Sequence, residues 1–282
     1  MWRSLLLAIS LGLARSVWAH PRDTIQRIDQ RLRALATGKI EGHEAVQGRS
    51  HLEHVRYASG HELLHIAPLG SADKRRNPRG VNERAVHLTA RHLRIPLRTM
   101  PPIVEATTTV YGRGQVAPWI RGLRKPAGSY SEPGLWNHLM TLAEKAPEQI
   151  DWESIHSVLI LDYITDQDDH LTENAFFREV RGKLAAVSLD NEMSFGWHNG
   201  RSRLTSFLEM LVHGSRSSAA RKLSATLQRN LRSIDIDAWK ADLRSAGIPS
   251  HEVEAAARRL SRVQTLGLNA LSARLAPGVG TP

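Results

Sequence analysis

The chain has 282 residues, of which 41% are hydrophobic and 23% are charged, with 20 glycines and 13 prolines. This balance is typical of a folded globular protein with a sizeable core and excludes global disorder. Basic residues outnumber acidic residues 38 to 28, and the net charge of +10 favours anionic partners. Because the chain contains no cysteine, disulfides, thiolate nucleophiles and cysteine metal sites are excluded.

Residues 1–19 have the pattern of a secretory signal peptide. A positive start precedes an apolar run, Leu5 to Ala14, that is too short to span a bilayer comfortably, and Val17 and Ala19 are the small residues before a cleavage site. We therefore expect an exported protein that begins at His20, periplasmic or secreted, without a transmembrane span after cleavage. The alternatives are a cytosolic N-terminal helix and an uncleaved anchor. The absence of any Asn-x-Ser/Thr acceptor weakly favours a bacterial setting.

The first half of the chain predicts a helical arm followed by a strand-rich lobe. Its predicted elements are an amphipathic helix over 24–38, a β-hairpin over 50–70 around Ser59-Gly60, a basic loop over 71–80, a helix over 82–95 that Pro96 ends, and a second hairpin over 101–122 with its turn at Gly112 to Gly114. The strand assignments rest on runs rich in Val, Thr and Ile between turn residues.

The second half is predicted to be nearly all helical, with one hairpin. The predicted helices cover 135–146, 152–165, 204–214, 218–234, 236–247 and 250–275. The hairpin covers 176–196, with a turn at Arg181-Gly182. The pattern predicts an α+β fold. Its expected divisions are a signal peptide at 1–19, a helical arm at 20–48, a small lobe at 49–120, a helical lobe at 121–275 and a tail at 276–282.

One stretch, "LDYITDQDDHLTENAFF" (161–177), concentrates four aspartates, a glutamate, a histidine and an asparagine. Because the hairpin that follows returns its ends to the same place, we expect Asp169 and Asn174 to lie near Asp190. A carboxylate and an amide oxygen can hold Mg²⁺, while a second carboxylate takes a proton from an attacking hydroxyl. These groups are the working parts of phosphoryl transfer. For the remaining aspartates we expect helix capping, turn formation or solvation: Asp162, Asp166 and Asp168.

The acidic stretch and the "LDN" that ends the hairpin resemble the catalytic and metal-binding segments of the atypical kinases. These are the type II phosphatidylinositol kinases, the Golgi casein-kinase and four-jointed secreted kinases and, more distantly, HipA. The resemblance implies a two-lobed protein-kinase-like fold, with Asp169 as the catalytic aspartate. It also implies that Asn174 and Asp190 are ligands of Mg²⁺ or Mn²⁺.

Earlier segments extend this resemblance over roughly residues 50–265. The helix predicted over 82–95 resembles the regulatory helix of the family, which makes Glu83 its ion-pairing glutamate. The segment "GRGQVAPWIRG" falls where the family has a strand leading to the hinge that holds adenine. The resemblance therefore implies that Ala117 and Trp119 contact the nucleotide.

The sequence departs from the family at one important position. In "HIAP" (65–68), Ala67 stands where the family has a lysine that binds the phosphates of the nucleotide and pairs with the glutamate. Lys74, in the basic loop, or its neighbours Arg75 and Arg76 would have to replace it. Smaller departures are His170 for arginine and Gln167 for asparagine.

Two functions follow from the resemblance. The first is an ATP-dependent kinase that uses Mg²⁺ or Mn²⁺ and transfers the γ-phosphoryl to a hydroxyl acceptor, expected on a protein. The second is a pseudokinase that binds a nucleotide or a partner, because the lysine is missing.

Three other features allow different functions. His20, as a new N-terminus, would chelate copper in proteins resembling the lytic polysaccharide monooxygenases, but the helical second half does not fit their β-sandwich. A hydrolytic site of Asp168, Asp169 and His170 would require three adjacent residues to face one ion. The basic segment 216–232 is suited to nucleic acid or anionic lipid, or is a solvated helix face. Nucleic acid is not favoured, because no aromatic stacking residues accompany the segment.

Overall fold

The structure is a computed structural model, and it describes residues 21–45, 52–66, 79–108, 112–124, 132, 134–167, 175–189, 191, 194–195 and 207–272. The chain divides into two compact units. The first contains residues up to Gly80 together with Pro102–Trp119, and the second contains Val81–Pro101 together with the chain from Ile120 onward. The helix predicted over 82–95 therefore groups by its contacts with the second unit and not with the strands.

The first unit is built on an antiparallel five-stranded sheet with the order β1-β2-β3-β5-β4. Its elements are α1 (Pro21–Ala36), β1 (Ile40–Ala45), β2 (Leu52–Tyr57), β3 (Glu62–Ile66), β4 (Val104–Thr108) and β5 (Gly112–Pro118). Helix α1 packs against β4 and β5, and it buries Ile28, Leu32 and Ala36. The apolar spacing that predicted this helix therefore marks the face that it presents to the sheet.

Both predicted hairpins of this unit are confirmed. The turn between β2 and β3 contains Gly60 at a φ of 78°, a conformation that glycine adopts without strain. In the second hairpin the predicted turn residues are wrong, because Gly112 and Gly114 belong to β5 and pair with Thr108 and Ala106. Strand β1, which adds the edge next to β2, was not predicted.

The second unit is mainly helical. Its elements are α2 (Arg79–His92), α3 (Leu135–Lys145), a 3₁₀ turn (Pro147–Gln149), β6 (Ile150–Asp151), α4 (Trp152–Thr165), β7 (Phe176–Val180), β8 (Lys183–Val187), α5 (Phe207–Gly214), α6 (Ser218–Arg221), α7 (Ala225–Arg232), α8 (Ile236–Ser245), α9 (Ser250–Leu266) and α10 (Asn269–Ser272). The predicted hairpin is confirmed as β7 and β8, and β6 joins its β8 side in parallel. No helix among the described residues is long and apolar enough to cross a membrane.

Two of the long predicted helices are interrupted. The helix predicted over 218–234 breaks into α6 and α7, and the hydroxyl of Ser224 accepts the N–H of Leu227 at 3.1 Å to cap the second piece. The helix predicted over 250–275 ends at Leu266, because Gly267 turns the chain at a φ of 58° before α10.

Helix α4 lies at the centre of the second unit. Every residue in it except Glu153 is buried, as its apolar composition on all sides requires. Asp151 caps its N-terminus by accepting the N–H of Ser154 at 3.2 Å. At its C-terminus Asp166 adopts a left-handed conformation, with a φ of 57°. The acidic stretch therefore begins within a buried helix, whose last five residues it includes.

Candidate functional site

Glu83, near the start of α2, is hydrogen-bonded to the segment that follows β8. Its carboxylate, on a residue only 6% exposed, accepts the backbone N–H of Asn191. The amide Nδ2 of Asn191 also lies 3.4 Å from Glu83 Oε2, and its Oδ1 accepts the hydroxyl of Ser188 at 2.9 Å. Because Asn191 directly follows Asp190 in the chain, the carboxylate of Glu83 holds the backbone next to that aspartate.

Two further hydrogen bonds fasten the same segment. Asn82 Nδ2 donates to the carbonyl of Ser194 at 2.8 Å, so neighbouring residues of α2 hold the segment at two points. The N–H of Phe195 donates to the carbonyl of Thr165 at 2.6 Å. Since Thr165 is the last residue of α4, the end of this segment lies against the point where the acidic stretch leaves the helix.

The hairpin of β7 and β8 places the end of the acidic stretch (161–177) opposite the part of β8 that leads into the "LDN" segment. Phe176, two residues after Asn174, pairs with Val187, three residues before Asp190. Asp169, Asn174 and Asp190 themselves lie outside the described residues, and their convergence on one metal ion stays a prediction. Within the described part of the chain, no group of three or more His, Cys, Asp or Glu residues could hold a metal ion.

The other aspartates of the acidic stretch differ from one another. Asp166 fits the prediction of a capping or turn residue, and its carboxylate lies 3.6 Å from Arg259 Nη1 in α9. Arg259 Nε also donates to the carbonyl of Ile164 at 2.9 Å, so α9 holds the end of α4. For Asp162 the prediction of a cap, a turn or solvation is wrong, because this residue lies inside α4 and is 4% exposed. Asp168 and His170 lie outside the described residues.

The family lysine is replaced by Ala67, and its candidate substitutes are basic residues of the loop over 71–80. Ala67, Lys74, Arg75 and Arg76 all lie outside the described residues, and the pairing of Glu83 with a basic residue stays a prediction. In the described part of the chain, Glu83 accepts the backbone N–H of Asn191, the residue that follows Asp190.

Ala117 and Trp119 lie at the end of β5. Ala117 is buried and pairs with Leu64 of β3. The N–H of Trp119 donates to the carbonyl of Glu62 at 3.2 Å, and its indole stacks on the imidazole of His54, with ring centroids 4.0 Å apart and planes 11° apart. One face of the indole is therefore covered by His54. That Ala117 and Trp119 contact a nucleotide stays a prediction.

The middle of α2 is buried and carries charge. Glu83, His87 and Arg91 recur every four residues and so share one face of the helix. His87 is buried without a hydrogen-bond partner among the described residues, and its burial, together with the positive charges of Arg91 and Arg84, holds its pKa well below the usual value. Burial also lowers the pKa of Arg91 to about 9, so its guanidinium remains charged at neutral pH. The imidazole of His87 is therefore neutral.

The C-terminal end of α2 is anchored on α8. His92 Nε2 and Asp242 Oδ2 are 3.0 Å apart and almost fully buried, and Trp239 Nε1 donates to the hydroxyl of Thr89 at 3.1 Å. These are side-chain contacts between residues that are 150 positions apart in the chain. They attach the helix that carries Glu83 to the helical body of its own unit.

Sequence reasoning missed Asn191, Ser188, Asn82 and the pair His92 and Asp242 as parts of this arrangement. For Asn191 a signal was present, since it is the last residue of the "LDN" segment already assigned to the site. Asn191 and Glu83 are 108 positions apart in the sequence, and no local sequence pattern predicts their contact.

Neither a protein-family model nor a curated protein matches the chain. Solved structures do match. The structure of hydra Fam20 with sugar has a TM-score of 0.51 and 14% identity, over 86% of this chain and 88% of that chain. A structure of the Golgi casein kinase with Mn/ADP bound has the same score and identity, over 88% of this chain and 77% of that chain.

A Shewanella oneidensis complex of HipA, HipB and operator DNA has 12% identity over 93% of this chain and 66% of that chain, but its TM-score of 0.30 is too low to bear on the fold. The two stronger matches show that the chain has a two-lobed, kinase-like α+β fold. The resemblance to the Golgi casein kinases is thus confirmed at the level of the fold.

Proposed function

We propose that this protein is an exported kinase that transfers the γ-phosphoryl of ATP to a hydroxyl group, with a protein as the acceptor. The observation that carries the proposal is the hydrogen bond between the Asn191 N–H and the carboxylate of Glu83, in a chain with a kinase-like fold. It holds the backbone beside Asp190 against the helix that corresponds in order to the regulatory helix of the family. A merely solvated acidic loop has no need of such a buried contact.

In this proposal the carboxylate of Asp169 accepts the proton of the acceptor hydroxyl as its oxygen attacks the γ-phosphorus, and the bond to the ADP oxygen breaks. Asn174 and Asp190 would hold Mg²⁺ or Mn²⁺, since amide and carboxylate oxygens are the ligands that such hard cations prefer. A bound cation supplies positive charge that neutralises the phosphates of the nucleotide.

The hydrogen bonds that hold the segment after β8 support these roles for the proposed site residues. The segment after β8 is fastened to α2 through Asn191 and to the end of α4 through Phe195. Positioned groups contribute to rate only when their geometry is held, and most of the catalysis in phosphoryl transfer is positioning and charge stabilisation. Lys74 is proposed as the phosphate anchor, and Ala117 and Trp119 as nucleotide contacts.

The test of the chemistry is phosphotransfer from ATP to the protein itself or to added protein acceptors, measured for Asp169→Ala and for Asp168→Ala. We expect Asp169→Ala to bind the nucleotide normally and to lose about a hundredfold or more in turnover, the scale of a positioned acid-base group. Asp168→Ala removes the same charge one residue earlier and should stay within about twofold. Loss of turnover in Asp168→Ala alone would show that the assignment is displaced by one residue.

A pseudokinase is the second candidate, because Ala67 stands at the position of the lysine of the family. A wild-type protein that binds ATP and metal but transfers nothing, even to water, would establish it. If Lys74 replaces the missing lysine, Lys74→Ala should weaken ATP binding, whereas a solvated Lys74 would have no effect.

Export is proposed from the sequence of residues 1–19, which lie outside the described residues. Mass spectrometry of the N-terminus should find a mature chain that begins at His20. Intact residues 1–19 on protein from the cytoplasm would contradict export.

A further inference from the structure

An open cavity of about 270 Å³ lies at the surface of the second unit, where α6 and α7 meet α9 and α10, and its cationic side chains are exposed to solvent. Three cationic side chains line it, and no acidic side chain does: Arg221, Lys222 and Arg232. Its other polar walls include Gln228, Gln264 and Asn269. The surrounding sequence has the same bias, because residues 210–234 contain four arginines and a lysine and no acidic residue. The cavity therefore has a positive potential.

The walls of this cavity are held by hydrogen bonds. Arg221 Nε and Nη2 lie 3.3 and 3.2 Å from the carbonyl of Ser215, which fixes the guanidinium and leaves its other N–H groups for a ligand. Gln228 Nε2 donates to the carbonyl of Leu223 at 2.9 Å, and Gln264 Nε2 donates to that of Leu231 at 2.7 Å. The arginine is thus pre-oriented, which reduces the entropy that a ligand must overcome.

The three cations differ from other basic side chains of the unit in that they form no ion pair within the part of the chain that the structure describes. None of Arg221, Lys222 and Arg232 forms an ion pair with a described acidic residue, whereas Lys240 and Arg244 pair with Glu254 elsewhere in the unit. An adjoining cavity of about 290 Å³ shares Arg221, Leu268 and Asn269 with the first cavity, and Glu209 and His213 line this second cavity but not the first. A concave site with three like charges on its walls is stabilised by an anion.

We propose that this cavity binds a phosphate monoester group. Arginine donates paired N–H groups that match phosphate oxygens, and lysine adds a point charge, so the three side chains suit a dianion better than a single carboxylate. The volume of the cavity leaves space for a small group attached to the phosphate. The site shares no residue with the one proposed for ATP, and it does not depend on the kinase activity.

The test is a calorimetric titration of the full chain with glycerol phosphate. It is carried out for the wild type and for two matched double variants. Lys222→Gln/Arg232→Gln removes two cations from the cavity walls, and Arg258→Gln/Arg262→Gln removes two exposed arginines of α9 that do not line it. Arg221 is kept in both, because its contact with Ser215 also supports the fold. We expect binding by the wild type, a loss of about tenfold or more in the cavity variant, and a change within about twofold in the control.

Glycerol phosphate bound at the proposed ATP site would be insensitive to Lys222 and Arg232, so the variants separate the two sites. Equal weakening in both double variants would show only a general effect of net charge, and no binding by the wild type at tens of millimolar would also overturn the proposal.

A second arm identifies the source of the phosphate group with vesicles of phosphatidic acid in phosphatidylcholine. Binding to these vesicles that is lost only in the cavity variant assigns a lipid headgroup. Binding of glycerol phosphate without any vesicle binding assigns a soluble ester. Vesicle binding that both variants lose equally would reflect surface charge and would contradict a lipid site in the cavity.

Discussion

The two ends of α2 are both held by buried polar contacts, but in different ways. At the N-terminal end, the carboxylate of Glu83 accepts a backbone N–H of a loop, beside the aspartate proposed to bind metal. At the C-terminal end, His92 and Asp242 join two helices through their side chains. The first contact holds the backbone beside the proposed metal ligand Asp190, and the second holds the helix itself. A helix anchored at one end can hold a loop at the other without relying on that loop for its own stability.

This comparison predicts that damage at the two ends has different consequences. Loss of the His92 contact should lower stability and leave the chemistry of the folded molecules almost unchanged. Loss of the Glu83 contact should impair nucleotide-dependent activity beyond its effect on stability.

Asp242→Ala leaves His92 buried without this partner. Leaving a buried polar group without its hydrogen-bond partner costs about 1–3 kcal/mol, and more where the lost partner is charged, as a carboxylate is. The free energy of unfolding, measured with urea, should fall by that amount, while turnover per folded molecule changes less than about threefold. Asp237→Ala, on the exposed face of the same helix, is the control and should cost less than about 0.5 kcal/mol. An unchanged urea midpoint for Asp242→Ala would show that the contact between His92 and Asp242 does not stabilise the fold.

Glu83→Ala leaves the buried N–H of Asn191 without its acceptor, which costs about 1–3 kcal/mol. We expect phosphotransfer to fall by more than this loss of stability explains. Glu83→Gln keeps an oxygen acceptor but removes the charge, so its stability should lie close to the wild type. Equal losses of turnover at the Glu83 and Asp242 positions, after correction for the folded fraction, would remove the distinction between the two ends.

The middle of α2 makes stability depend on pH. Because the pKa of His87 is lowered in the folded state, the unfolded chain binds a proton below about pH 6.5 that the folded chain does not. The free energy of unfolding should therefore fall as the pH falls below this value, by up to about 1.4 kcal/mol per pH unit. Burial lowers the pKa of His65 and of His156 in the same direction.

His87→Leu should flatten the dependence of the unfolding midpoint on pH between about pH 6.5 and 5.5, because leucine does not titrate. The measurement is urea unfolding at several pH values for this variant and the wild type. Identical slopes for the two proteins would contradict a neutral, buried His87.

Ser188→Ala tests the smallest contact at the Glu83 end. It removes the hydroxyl that donates to Asn191 Oδ1 at 2.9 Å, and a typical hydrogen bond contributes about 1 kcal/mol. The urea midpoint should fall accordingly, with turnover reduced only slightly, because the contact of Asn191 with Glu83 remains. A larger loss of turnover than in Glu83→Ala would mean that Ser188, and not Glu83, positions the segment.

The sequence predicted the elements that have a strong local signal. Helix α4 was predicted with its observed bounds, because its long apolar run and the polar residues after it mark a buried helix and its end. The hairpin of β7 and β8 followed from its turn at Arg181-Gly182. Strand β1 was missed because "IEGHEA" has no apolar alternation, and its place depends on pairing with β2.

The contacts of the candidate site were predictable only in part. Glu83 was singled out by resemblance, but its bond to Asn191 depends on tertiary structure that no spacing encodes. Asp162 shows the opposite error, because an aspartate next to an acidic loop was expected to be solvated, whereas the apolar helix around it buries it. The break between α6 and α7 was missed because helical spacing continues across Lys222 to Ser224.

The most direct test of the account is calorimetric titration of the full chain with ATP and Mn²⁺, compared with Asp190→Ala and with Asp237→Ala as the control. We expect metal-dependent binding by the wild type and by Asp237→Ala, and none by Asp190→Ala, because that aspartate is proposed to hold the metal with Asn174. Asp190→Ala that binds ATP and Mn²⁺ as tightly as the wild type would contradict the metal site, and a wild type that binds neither at millimolar nucleotide would contradict the kinase and the pseudokinase together.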